Sequence, residues 1–223
     1  MAVKHDEATP GGPPRVRNPQ GQGGRLRVEL IAAADRILAE TGDVEGLSLR
    51  AVARAVGIAT PSIYLHFPDK RALVQAVLAE RFAQLGEAVQ AAVGAAISPG
   101  EQLLAGCLAY CRFATEHPNA YRVLFGRASS RALGPPPPAS SVEVGATTFA
   151  MLVEGVAACI RSGAAPPGDP TRVATSLWTA LHGIVTLRAS LPRFPWPSLE
   201  QQVQDAIVGL VRLHHNEAAA TGE

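Results

Sequence analysis

Cysteine is scarce in this chain, and what little there is cannot form a disulfide framework. Cys107, Cys111 and Cys159 are all it has, an odd number without a CxxC pair, which also argues against a zinc site. Cys107 and Cys111 stand four apart and so share one face of a helix. They read as small core residues, with a redox switch as the alternative. An excess of charge of either sign is missing too, for the net charge is +1. Residues 1–70 hold nine Lys or Arg against eight Asp or Glu, and residues 71–223 hold eleven of each. Any affinity for a polyanion must therefore come from local placement and not from a general basic field. No apolar run reaches the roughly 18 residues of a membrane span, and Met1–Glu7 lacks the continuous apolar segment of a signal peptide. A cytoplasmic location without a membrane partner is expected. Strand-like alternation, internal repeats, phosphate loops and metal-ligand spacings are absent. His117, His182, His214 and His215 have no carboxylate at useful spacing, and no nucleophile–base–acid set occurs. The expectation is a protein that is not an enzyme and needs no metal or other cofactor.

What the chain does have is helical periodicity. Its hydrophobic content of 47% is ordinary for a globular protein, and 223 residues suit one large or two small domains. Residues 1–22 mix Pro, Gly, Gln and scattered charge with little to bury, which predicts a disordered tail; 217–223 is read likewise. From Arg25 to Glu40, residues Leu30, Ile31, Ala34, Ile37 and Leu38 recur at helical spacing, and Gly42 is placed to end that helix. A second helix is predicted from Ser48, a good N-cap, to Val56, with Leu49, Val52, Ala53 and Val56 facing inward and Gly57 as its stop. A third covers about Pro61–His66, and Asp69 can cap a long fourth that reaches about Ala92. Further helices are placed near 99–116, 118–126, 140–162, 170–190 and 197–215. Pro99, Pro118, Pro170 and Pro197 sit at their starts, where a missing N–H is harmless. Arg127–Ser141, with its run from Pro135 to Pro138, reads as a surface loop. The fold class is all-α, about nine helices: a helix-turn-helix unit over 23–70, then a helical domain over 71–216.

Two short helices joined by a Gly-containing turn and packed on a longer first helix make a helix-turn-helix unit. That signal alone is generic. The specific part is the run Leu49–Leu73, in which Ala53-x-x-x-Gly57 precedes the turn, followed by Tyr64-x-His66-Phe67, then Lys70 and Leu73. On these residues the chain resembles the DNA-binding domain of the TetR family, over about fifty residues. The resemblance implies a double-stranded DNA operator as partner, with the third helix in the major groove. Thr60, Pro61 and Ser62 at its start can approach base edges and phosphates closely. Tyr64 and His66 can donate to phosphates, and Lys70 adds a cation. Ser48 and Arg50 lie where a helix N-terminus meets phosphate, and Arg25 and Arg27 could reach the adjacent groove from a flexible arm. For Tyr64, His66 and Arg50 the alternative is plain packing or a solvated charge; Ile63 and Phe67 belong to the core. The family usually has Ser or Thr where Ala59 stands. Thr60 followed by Pro61 is expected to supply the cap one residue later.

In TetR-like proteins the rest of the chain binds a ligand and dimerises. The stretches His117–Gly126 and Leu177–Gly183 resemble the subgroup whose C-terminal domain is named for its Trp, His and Gly, here Trp178, His182 and Gly183. Trp178 and His182 share a helix face, and Gly183 suggests close helix approach. Phe125, Phe149, Trp178 and His182 are the candidate lining of a pocket for a small, mostly apolar effector, although each also suits a core. The stripes Val173, Leu177, Leu181, Ile184, Leu187 and Val203, Ile207, Leu210, Val211 could pair across a twofold axis into a homodimer or be ordinary core. The function expected is a ligand-responsive repressor that binds a palindromic operator as a dimer. The alternative is a helical small-molecule-binding or interaction protein without DNA binding.

Overall fold

The computed structural model describes residues 23–42, 44–125 and 141–213. The tails expected at 1–22 and 217–223 and most of the proline-rich loop lie outside the described residues. Within them are nine helices and no strand: α1 Gly23–Thr41, α2 Leu49–Val56, α3 Thr60–Ile63, α4 Lys70–Gly94, α5 Pro99–Glu116, α6 Pro118–Phe125, α7 Ser141–Arg161, α8 Pro170–Ser190 and α9 Leu199–Val211. Among the described residues no helix is long and apolar enough to cross a membrane.

The helix ends follow from local chemistry. Gly42 takes φ 62°, and its N–H closes on the Leu38 carbonyl at 2.8 Å. Ser48 caps α2 by accepting the Ala51 N–H at 3.2 Å. At the other end Gly57 adopts φ 75°, Ile58 N–H bonds Ala53 O at 2.9 Å, and Gly57 N–H bonds Arg54 O at 3.1 Å. This paired closure is a Schellman motif, in which a residue without Cβ turns the chain left-handedly. Asp69 caps α4 through Ala72 N–H at 2.8 Å, Ser98 and Glu101 form a reciprocal capping box on α5, and Ser198 caps α9.

The third helix differs from expectation. It is a single turn, Thr60–Ile63, continued by turns through His66, and its N-cap is Ala59 with no side-chain cap bond. Thr60 is already the first helical residue, so it does not serve as the cap. A side-chain cap has little to satisfy here: Pro61 has no N–H, and the Ser62 N–H is taken by Ala59 O at 2.9 Å.

One continuous core runs through the molecule. Leu30, Leu38, Val44, Leu47, Val52, Ile63, Phe67 and Leu73 are buried around the first three helices, and Val77, Leu85 and Val89 carry the core along α4 into α5, α7 and α8. Polar ties reinforce that seam. Arg81 of α4 grips Asp35 of α1 with two hydrogen bonds of 2.6 and 2.5 Å. Asn119 of α6 donates to the Ala39 carbonyl of α1, and Arg122 donates to Asn119 at 2.7 Å. The Arg122 guanidinium fills the space where a Cβ on Gly42 would stand. Cys107, Cys111 and Cys159 are buried free thiols; burial pushes Cys111 up to about 12 and raises Cys107 and Cys159 as well.

The two C-terminal stripes divide. Leu177, Leu181, Val203, Ile207 and Val211 are buried within this chain, whereas Leu187 is 50% exposed and Leu210 39%. Most of each stripe is thus monomer core. Gly183 does not mark a close approach within the chain, since a Cβ there would meet nothing within 4 Å.

Candidate nucleic-acid interface and cavity

The turn at Gly57 holds α3 against α2 so that Ile63 and Phe67, four apart, point inward and are fully buried. Their spacing fixes the opposite face. Pro61 is exposed, Thr60 and Ser62 are half-buried, Tyr64 is 54% exposed and Leu65 85%. Ser48 and Arg50 at the start of α2 are exposed. The Ser48 oxygen is occupied in capping, which leaves its hydroxyl proton to donate. Arg25 and Arg27 stand within α1 and not on a free arm. Arg25 pairs with Glu29 at 3.2 Å, and Arg27 donates to the His66 carbonyl at 3.2 Å while covering the Phe67 ring at 4.5 Å. Arg27 therefore braces the turn after α3. His66 is half-buried and donates its own N–H to Ile63 O at 3.0 Å. The Lys70 ammonium donates to the Glu45 carbonyl at 2.7 Å, tying α4 to the α1–α2 connection with two N–H groups to spare. Leu65 is not among the expected DNA-contacting residues; it faces out because it stands two positions, about 200° of helical turn, from each of the inward residues 63 and 67.

A cavity of about 860 Å³ lies between α4, α5, α7 and α8, with Phe125 of α6 at its wall. Phe82, Phe125, Phe149 and Trp178 form an aromatic girdle, with Phe82–Phe125 centroids 5.8 Å apart and Phe149–Trp178 5.9 Å apart. Phe125, Phe149 and Trp178 line the cavity, and His182 is not among the lining. It stands next to Phe125 at 5.3 Å, with its Nδ1 2.5 Å from the Tyr121 hydroxyl. Tyr121 in turn meets the Tyr110 hydroxyl at 2.7 Å, and Tyr110 does line the cavity. Burial pushes the Tyr110 phenol up to about 12, against the hydrogen bond with Tyr121, and raises the Tyr121 phenol as well. Burial lowers the His182 imidazole, so all three rings are neutral at neutral pH. The Tyr110–Tyr121 pairing spans α5 and α6, a contact that no single-helix pattern reveals. Among the described residues no cluster of three or more His, Cys, Asp or Glu could hold a metal ion.

Residues 30–77 match the model of bacterial regulatory proteins, tetR family, and residues 103–210 match the tetracyclin repressor-like C-terminal domain. The structure of a protein with unknown function from Rhodococcus sp. RHA1 shares 30% identity and a TM-score of 0.74, covering 88% of this chain and 98% of that one. The fatty acid degradation regulator FadR from Bacillus halodurans shares 16% identity and a TM-score of 0.67 over 87% of this chain and 97% of its own. A TetR family transcription regulator from Marinobacter aquaeolei VT8 shares 19% identity and a TM-score of 0.65 over 84% and 96%. At these identities the last two share the fold. No protein of curated function matches the sequence.

Proposed function

Because the chain belongs to the tetR family and is a DNA-binding transcriptional regulator, we propose that it acts as a homodimeric repressor released from a palindromic operator by a small, mostly apolar effector. The observation that carries the DNA reading is the outward face of α3 and the turn after it, Pro61, Tyr64 and Leu65, held by the buried pair Ile63 and Phe67. Thr60 and Ser62 supply polar contacts to base edges, and Leu65 an apolar one suited to a thymine methyl. Tyr64, Ser48, Arg50 and Lys70 position the unit on phosphates, with His66 and Arg27 holding the turn and Arg25 at the rim. Such a protein works where its operator is, in the cytoplasm. The Trp178, His182 and Gly183 constellation is that of the Trp-His-Gly subgroup.

The dimer reading rests on what α8 and α9 leave uncovered. Leu187 and Val208 are substantially exposed, and Gly183 and Gly209 face open space, so a second copy could approach these helices closely. The effector reading rests on the cavity, whose volume falls in the usual range for small-molecule sites. Two helices join it to α1. Residues Phe82, Leu85 and Val89 of α4 line the cavity while Arg81 holds Asp35; Phe125 of α6 lines it while Asn119 holds Ala39. A ligand that favours another setting of α4 and α6 changes the spacing of the recognition helices and weakens DNA binding, typically by about 1–3 kcal/mol.

The test is a titration of the full chain against duplexes from its own upstream region. Thr60→Ala and Ser62→Ala are expected to change the ranking of single-base operator variants by roughly 1–3 kcal/mol at the positions they read. An unchanged ranking for both would remove them from base readout. Lys70→Ala is expected to weaken binding to every sequence and to lower the salt slope by about one unit. A drop in thermal stability with the slope intact would instead assign Lys70 to the Glu45 tie alone.

A further inference from the structure

The polar end of the cavity has two internally consistent hydrogen-bond arrangements. Tyr110 and Trp178 line the cavity; behind them Tyr121 and the Nδ1 of His182 complete a chain with links of 2.7 and 2.5 Å. No buried side-chain polar atom among the described residues is left without a partner. In one arrangement Tyr110 donates to Tyr121, Tyr121 donates to Nδ1, and His182 carries its proton on Nε2. In the other His182 donates from Nδ1, Tyr121 donates to Tyr110, and the Tyr110 proton is free for the cavity. The neutral imidazole is what permits both, since a protonated ring could only donate.

We propose that the cavity selects an uncharged, largely apolar ligand with one hydrogen-bond acceptor, such as a carbonyl oxygen, and that Tyr110 donates to it and sets the Tyr110–Tyr121–His182 chain in the second arrangement. This rests on the reading of the cavity as the effector site. The walls are mostly apolar, with Gln102, Thr147 and Thr148 as further neutral polar side chains, and among the described lining residues the one charged side chain is Glu154, which is exposed and paired with Arg161 at 2.5 Å. A ligand carboxylate would be buried without a cation, and a ligand cation without a buried carboxylate; either is strongly disfavoured. In the second arrangement the Tyr110 oxygen accepts from Tyr121, and a phenol is a better donor than acceptor, so the ligand is offered a proton. Tyr121 lies on α6 between Asn119 and Arg122, the pair that grips α1, so the chain reverses on an element that touches the DNA-binding unit.

Four ten-carbon probes separate the possibilities when titrated into the full-length protein at neutral pH by calorimetry: decane, 2-decanone, decanoate and decyltrimethylammonium. The expected result is that 2-decanone binds about fivefold more tightly than decane, and on the order of a hundredfold more tightly than either ion. Tyr110→Phe should reduce 2-decanone to the affinity of decane. In nitrogen-15 spectra of the labelled protein, His182 should move from the Nε2–H to the Nδ1–H tautomer with 2-decanone but not with decane, and Tyr121→Phe should abolish that response. A merely structural role for the chain would leave the tautomer unmoved. Decanoate or the ammonium binding as tightly as 2-decanone would overturn the ligand class while leaving the cavity as an effector site, and so would an unchanged His182 tautomer. Failure of all four probes to bind would overturn both readings together.

Discussion

Phe67→Ala is expected to lower the stability of this protein by about 3–5 kcal/mol and to abolish operator binding. The ring is 1% exposed and sits where α1, α3 and α4 converge. Its N–H closes the turn on Ile63 O at 2.9 Å, and Arg27 lies over its face while bonding the preceding carbonyl. Truncation leaves a cavity that a close-packed core cannot collapse, and it frees Arg27 from the turn that orients α3. Because the core is continuous into α4, the change should appear in the main unfolding transition, as a fall of roughly 6–20 °C in midpoint. Arg27→Ala should cost only about 0.5–1 kcal/mol from the lost cation–ring contact. Thermal unfolding followed by circular dichroism, with operator titration below the transition, decides the matter. A midpoint unchanged in Phe67→Ala would contradict the packing account.

The second large effect concerns assembly. The double variant Leu187→Glu, Val208→Glu is expected to be a folded monomer with operator affinity reduced by roughly 10²–10⁴-fold. That is the range lost when the second of two linked binding events is no longer intramolecular. Both side chains are substantially exposed in the single chain, so their replacement should change monomer stability by no more than about 0.5 kcal/mol. Leu181 is the wrong place for such a test. At 2% exposure it belongs to the core, and a charge there would unfold the chain and mimic dissociation. Sedimentation of the double variant, beside its melting curve, separates these outcomes. A variant that still sediments as a dimer would move the interface away from α8 and α9.

Local chemistry is what the sequence determined by itself. Ser48 and Gly57 specify where α2 begins and ends, and Asp69 where α4 begins, because a side-chain acceptor or a missing Cβ acts within a few residues of its own position. The inward pairs Ile63 and Phe67, Leu49 and Val52 were legible for the same reason, since burial follows the helical period. The motif from Ala53 to Leu73 carried the family without any coordinates, because a helix-turn-helix constrains consecutive residues. Even here neighbours intervened. Arg27 looked like a free arm and proved to be a brace, because its partner His66 is thirty-nine positions away.

Only the tertiary structure decided which apolar residues face a core, a cavity or solvent. Leu177, Leu181 and Leu187 share one helix and one kind of side chain, yet the first two are buried and the third is half in solvent. Leu187 stands about 120° round the helix from Leu181, and which of those sides is covered depends on the elements that pack against it. The cavity was beyond reach for a related reason: its walls come from α4 through α8, and an unfilled volume has no residue of its own. The hydrogen-bonded chain of Tyr110, Tyr121 and His182 joins three helices, and neither hydroxyl shows a partner until those helices pack. Short-range geometry is written along the chain, whereas the fate of an apolar face depends on which distant element arrives to cover it.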